Sequence, residues 1–115
     1  MASRTTSPLL HPATADLNLF AVMAALSDPV RLSIVLTLSR QSEVFCGSFE
    51  LPVNKSAASR HFRVLREAGV IHQRDEGTRR MNTLRRADLD ARFPGLLDLV
   101  IQEGAQHEER NSGRT

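Results

Sequence analysis

The stretch from Ser59 to Ile71, SRHFRVLREAGVI, sets Arg60, Arg63 and Arg66 against an apolar set of Phe62, Leu65 and Ala68. Guanidinium groups gathered on one side of a helix do one kind of chemistry well. They donate planar, forked hydrogen bonds to oxyanions, phosphates above all. Lys55, Ser56, Ser59, Arg60 and Arg63 lie off the Phe62/Leu65 face, while His61 borders both faces, where it can bond a phosphate or a base. Arg66 sits a turn further on, better placed for a nucleic-acid backbone than for bases. Arg79 and Arg80 follow the turn at Gly77, within reach of an adjacent minor groove or of phosphates, with Arg74 in support. Arg85 and Arg86 fit a plain surface role equally well. The bland reading of the whole helix is an amphipathic element solvated by its arginines.

Other chemistries find less support. Catalysis needs groups that converge in a pocket. No Gly-rich phosphate loop, paired histidines or nucleophile elbow is written in the chain, and Ser59, Arg60 and His61 are successive helical residues that do not converge. No enzyme and no cofactor are expected. His11, His61, His72 and His107 are scattered without helical ligand spacing, and Cys46 is the one cysteine. A single thiolate does not complete a tetrahedral metal site. Its default role is a small core residue; a metal site shared between subunits through Cys46, or a redox bridge between them, stays open. One cysteine also rules out an internal disulfide and points to a reducing compartment. The N-terminal MASRTTSPLLHPATAD has no long apolar run of a secretory signal, and no stretch approaches the ~20 apolar residues of a membrane span, so a cytoplasmic location is expected.

Charge is unevenly spread. Between Asn54 and Arg86 stand nine basic and three acidic residues, a net +6, which leaves −4 for the rest of a chain whose total is +2. Such a split fits one face built for a polyanion.

These residues need elements to hold them. Residues 1–13 lack periodicity and read as a loose tail. Asp16 caps or begins a first helix running to Leu26, apolar nearly all round and so buried on more than one side, as between subunits. Asp28 and Pro29 start a second helix with Leu32, Val35, Leu36 and Ser39 inward. QSEVFCGSFEL, residues 41–51, reads as a short third helix weakened by Gly47. Asn54 caps a fourth, with Ala58, Phe62, Leu65 and Ala68 as its buried stripe and Gly69 as its left-handed terminator. VIHQR and RRMNTLRR then flank DEGT as a hairpin, with Met81, Thr83 and Arg79 tending to one side. Asp88 caps a last helix carrying Leu89, Phe93, Leu96, Leu97, Val100 and Ile101, and the chain frays after Gly104. The expected domain is 14–104, between tails at 1–13 and 105–115, in the order α-α-α-α-β-β-α: mainly α, a helix-turn-helix with a β-hairpin wing. A helix fits the major groove and its N-terminal side chains reach base edges, so duplex DNA suits the arrangement.

ALSDPVRLSIVLTL, KSAASRHFRVLREAGVI and RDEGTRRMNTLR together resemble successive signatures of the ArsR/SmtB family of bacterial winged-helix repressors, over residues 16–103. The resemblance implies a homodimer that binds an inverted-repeat operator and releases it when an effector binds. It also implies dimerisation through the first and last helices, which puts Leu17, Phe20, Leu96, Leu97, Val100 and Ile101 at the interface. Metal-sensing relatives carry a Cys-x-Cys pair in the third helix or carboxylates and histidines along the last. Here Cys46 stands alone, followed by Gly47 and Ser48, and the last helix has Asp90 and Asp98 but no histidine before His107. The effector is therefore unknown. The alternative function is a winged-helix module whose basic helix docks on an acidic protein.

Overall fold

The computed structural model describes residues 9–112. A 3-10 turn at Thr14–Asp16 leads into α1 (Leu19–Leu26) and α2 (Pro29–Arg40); β1 (Val44–Phe45) and a 3-10 turn at Cys46–Ser48 precede α3 (Lys55–Ala68). The hairpin β2 (Ile71–Glu76) and β3 (Arg79–Leu84) follows, then α4 (Arg86–Arg92) and α5 (Leu96–Ser112). This is a winged helix-turn-helix, with a three-stranded antiparallel sheet ordered β1-β3-β2.

Local chemistry sets the helix ends. Asp28 accepts from the N–H groups of Val30 and Arg31 at 2.9 and 3.1 Å, and Pro29 fills the first helical position of α2. Ile34, Val35, Leu36 and Leu38 are all buried, so α2 is the central helix and packs on more than one side. Asn54 caps α3 by accepting from Ala57 N–H at 2.8 Å. At the far end Gly69 takes φ 85°, its N–H reaches Arg66 O, and Val70 N–H reaches Leu65 O, a paired closure that satisfies the last carbonyls. Phe62, Leu65 and Ala68 enter the core as their spacing requires, and the Phe49 ring meets Phe62 edge-on at 5.2 Å.

Several elements differ from their sequence expectation. The third helix is replaced by β1 and a 3-10 turn, because Val44 and Phe45 pair with Asn82 and Met81 of β3, an edge partner that local periodicity does not reveal. Asn18, not Asp16, caps α1, accepting from Ala21 N–H at 3.0 Å. The last helix is broken at Phe93–Gly95, with Gly95 at φ 84°. Asp88 is not its cap but sits in the first turn of α4, bonded by Thr14 Oγ1 and Arg85 Nε. Helix α5 runs on through Ser112 where fraying after Gly104 was expected; Gly104 is buried against Leu32 of α2, which anchors the helix midway. Part of the loose tail falls at residues 1–8, outside the described residues, whereas His11 and Pro12 are tied down by bonds from Gln73 of β2 and from Arg85. On the hairpin, Asn82 rather than Met81 or Thr83 is fully buried.

Gly69 is the tightest joint. A Cβ there would collide with Leu17 Cδ2 and crowd Pro12, on top of an unfavourable positive φ. Gly69→Ala should lower the unfolding free energy by about 2–4 kcal/mol, combining left-handed strain with overpacking. Urea denaturation measures this directly, and a loss below ~1 kcal/mol would show that Leu17 yields freely.

Candidate nucleic-acid interface

Helix α3 presents two unlike faces. Phe62 and Leu65 hold it to the core, and Lys55, Ser56, Ser59, Arg60 and Arg63 are exposed on the other side. Asn54 fixes where that side begins, so the helix N-terminus and its free N–H dipoles share the surface with the cations. Among the described residues, Lys55, Arg60 and Arg63 form no ion pair. Their charge is available to an external polyanion.

The other basic residues are engaged within the fold. Arg74 bridges Glu43 at 2.7 Å and Glu76 at 3.0 Å; Arg80 Nε meets Asp75 at 2.9 Å. Arg85 pairs with Asp88 and donates to Pro12 O, and Arg86 reaches Asp98 at 2.8 Å. Such exposed pairs contribute little stability, but they cancel charge locally. Arg66 does not extend toward a DNA backbone, since its Nη1 donates to Gln73 Oε1 at 2.7 Å. The basic segment thus narrows to the exposed face of α3 and the wing.

Arg79 and Arg80 are neighbours on a strand and so point to opposite faces. The Arg79 guanidinium lies 4.3 Å from the centre of the Phe45 ring, exposed and held by a cation–π contact. Arg80 faces the cleft between α3 and the wing. That cleft, about 580 Å³, is lined in part by Lys55, Ser59, Arg66 and Arg80, so it is continuous with the cationic face.

His61 departs from its expected role. Its Nδ1 lies 3.0 Å from Arg31 Nη1 and 3.8 Å from Asp28 Oδ2, turned toward the start of α2 rather than outward. A guanidinium only donates, so Nδ1 accepts and the ring proton sits on Nε2. Arg31 is the residue the sequence reading missed. Its Nε donates to Ala25 O at 2.7 Å and its Nη2 to Ala24 O at 3.4 Å, closing the C-terminal end of α1 while holding His61 of α3. Its proximity to Asp28 and Pro29 was the available signal, but a cation near a helix start has no local reason to turn toward the preceding helix.

Cys46 sits at the back of the cleft. Its sulfur is 3.2 Å from Asn82 Nδ2 and 3.7 Å from Gln73 Nε2, and both amides are buried. Burial pushes the Cys46 thiol above its ordinary range, which leaves it protonated near neutral pH and weak as a nucleophile or ligand. Among the described residues no three His, Cys, Asp or Glu side chains gather closely enough to hold a metal ion.

Of the proposed interface residues, Leu17 and Leu97 are spent elsewhere. Both are buried in the protomer's own core, at 3% and 1% exposure, because the first turn and α5 each fold back onto it. Phe20 is 75% exposed, and Leu96, Val100 and Ile101 are half-buried.

An exposed cationic helix beside a basic hairpin, carried on a helix-turn-helix scaffold, defines a winged-helix DNA-binding module. Residues 28–73 match the family described as bacterial regulatory protein, arsR family. The HTH-type transcriptional regulator YceK of Bacillus subtilis (strain 168) is 36% identical over 82 residues, which is 69% of this chain and 82% of that protein. Among solved structures, the transcriptional repressor BigR from Xylella fastidiosa superposes with a TM-score of 0.53 at 28% identity, covering 64% of this chain and 84% of its own. An ArsR-like transcriptional regulator from Rhodococcus sp. RHA1 gives a TM-score of 0.55 at 25% identity, over 81% of this chain and 85% of that one. The chain belongs to the ArsR family of bacterial regulatory proteins. It is a DNA-binding transcriptional regulator, and no single helix among the described residues is long and apolar enough to cross a membrane.

Replacing Arg31 with Met removes its bonds to Ala24, Ala25 and His61. The expected loss is about 1–3 kcal/mol of stability, read from urea unfolding, since charge-assisted hydrogen bonds to the Ala25 carbonyl and the His61 ring, both partly shielded from water, are lost. An unchanged midpoint would mean that α1 closes without it.

Proposed function

We propose that this regulator is a homodimeric repressor that binds an inverted-repeat operator through α3 and the wing. The observation that carries the reading is the exposed set Lys55, Ser56, Ser59, Arg60 and Arg63, whose cations form no ion pair among the described residues. Side chains near the N-terminus of a recognition helix reach base edges, so Lys55, Ser56, Ser59 and Arg60 are the candidate readers and Arg63 a phosphate contact. Arg79, held over Phe45, is the wing's contact to minor groove or phosphate, whereas Arg80 is paired with Asp75. The similarity to the transcriptional repressor BigR supports the sign of regulation.

The apolar surface left in water supports dimerisation. Phe20 and Met23 are exposed one helical turn apart on α1, and Leu99 is 57% exposed on α5. Large apolar groups left in water on two helices mark a surface that another body covers, and two-fold pairing presents two reading helices to two half-sites. Leu96, Val100 and Ile101, half-buried on α5, form its margin. We assign Cys46 a structural role as a hydrogen-bond acceptor beneath the wing, without a metal. A cytoplasmic setting accords with a DNA partner.

Operator selection from a random duplex pool supplies the test. Arg60→Ala should cut discrimination between the selected operator and random DNA by about 1–3 kcal/mol; an unchanged ratio would reject base reading by Arg60. Wild-type binding should also weaken steeply with added salt. Failure to enrich any sequence would sink the repressor reading in favour of sequence-blind or protein contacts.

Leu99→Glu should give folded monomers with sharply reduced operator affinity, measured by sedimentation and by fluorescence anisotropy. Leu97→Glu should instead unfold the protomer, because it places a charge in the core. A Leu99→Glu protein that sediments as a dimer would move the interface off α5.

A further inference from the structure

The segment of residues 9–13 meets β2, one of the two edge strands of the sheet, through His11. An edge strand presents backbone groups that need partners. The Gln73 N–H on this edge donates to His11 Nε2 at 2.9 Å. The same imidazole stacks on His72, with ring centres 4.3 Å apart and planes 14° from parallel. The next residue, Pro12, accepts from Arg85 Nη1 at 2.8 Å, and its ring packs above Gly69. Two of these contacts therefore run through one titratable ring.

That ring holds the segment in only one protonation state. To accept from Gln73, Nε2 must carry its lone pair, which places the proton on Nδ1. An imidazolium has no acceptor, so protonation sets N–H against N–H. The charged and titratable groups facing the ring make this worse. They are His72 from β2, Arg66 from α3 and Arg85 ahead of α4, all cationic or able to become so. The Asp88 carboxylate is already engaged by Arg85 and Thr14.

We propose that residues 9–13 form a proton-released strap, docked on the β2 edge while His11 is neutral and undocked when His11 is protonated. Burial, then the charges of His72, Arg66 and Arg85, hold the His11 imidazole below its ordinary value of 6.5. A base with a depressed folded value contributes its docking stability in full above the unfolded value and loses it as pH falls through the folded one. The window therefore opens below pH 6.5. Gln73 gives the strap its reach into the fold. Its side chain takes Arg66 of α3 and donates to Cys46 and Asn82 beneath the wing, so the proton acts on the backbone of the residue that ties α3 to the hairpin.

Amide exchange of Gln73, followed by NMR on the full chain and corrected for intrinsic exchange, tests this at about pH 7.5 and about pH 5. Wild-type protection should fall about tenfold or more at the lower pH. His11→Gln keeps an acceptor oxygen that does not titrate, so its protection should be the same at both. Equal wild-type protection at the two pH values, or a pH-dependent loss that survives in H11Q, would overturn the proposal. Should H11Q fail to dock at all, the wild-type His11 ring-proton titration decides. Its midpoint must coincide with the loss of Gln73 protection, and separate midpoints reject the strap.

Discussion

Gln73 and Asn82 face each other across the hairpin in direct register, and both side chains are almost wholly removed from water, at 2% and 0% exposure. An amide in that setting costs about 1–3 kcal/mol for each donor or acceptor left unmatched, so its neighbours are constrained to supply partners. Gln73 Nε2 donates to Asn82 Oδ1 at 2.8 Å, Gln73 Oε1 receives Arg66, and Asn82 Nδ2 donates to Val44 O at 3.0 Å. One polar knot thereby joins all three strands to α3. Two apolar residues here would bury comparable surface, but methyl groups tolerate small slides and rotations that directed hydrogen bonds do not. The orientation of the wing relative to the reading helix is set at this point, as is the depth at which Cys46 rests against both amides.

From that joint the electrostatics follow. Nine basic residues between Asn54 and Arg86 would make a diffuse cloud if all faced water freely. The fold instead spends Arg74, Arg80, Arg85 and Arg86 on carboxylates, and Arg66 on Gln73. What remains open is concentrated on the outward side of α3, with Arg79 set apart on the wing over Phe45. A narrow field of this kind orients a polyanion better than a broad one of larger total charge, because few docking geometries satisfy it. The arginines removed from the field are the ones that fix the frame.

Much of this was legible in the residues themselves. Asp28–Pro29, Asn54 and Gly69 announced their helix ends through side-chain and backbone chemistry acting within a few positions. The Phe62/Leu65 stripe separated core from exposed face by periodicity alone. The failures share a physical cause. Val44 and Phe45 became a strand because β3, far along the chain, offered an open edge, and β pairing is decided by such partners more than by local preference. His61 sits at the border of two faces, and only the distant Arg31 settled which way its ring turned. Asn82 was passed over because a polar residue in a strand ordinarily faces water, and its burial depends on Gln73 arriving opposite. The break at Phe93–Gly95 lay beneath a continuous apolar stripe that masked Pro94 and Gly95.

The same distinction separates core from exposed apolar surface on α1 and α5. Sequence patterning told that these helices carry more apolar residues than one face needs, but not which residues form the surplus. Leu17 lies in the turn before α1, where the chain folds over Gly69 and drives the side chain inward. Leu97, two residues past the bend at Gly95, points into the core, and Leu99 points out. The stripe carried across that bend from Leu89 and Phe93 keeps its phase, since Leu97 is buried and Leu96, Val100 and Ile101 pack against the core. The surplus is therefore Phe20, Met23 and Leu99. These residues leave apolar surface in water, a cost that the proposed dimer would remove.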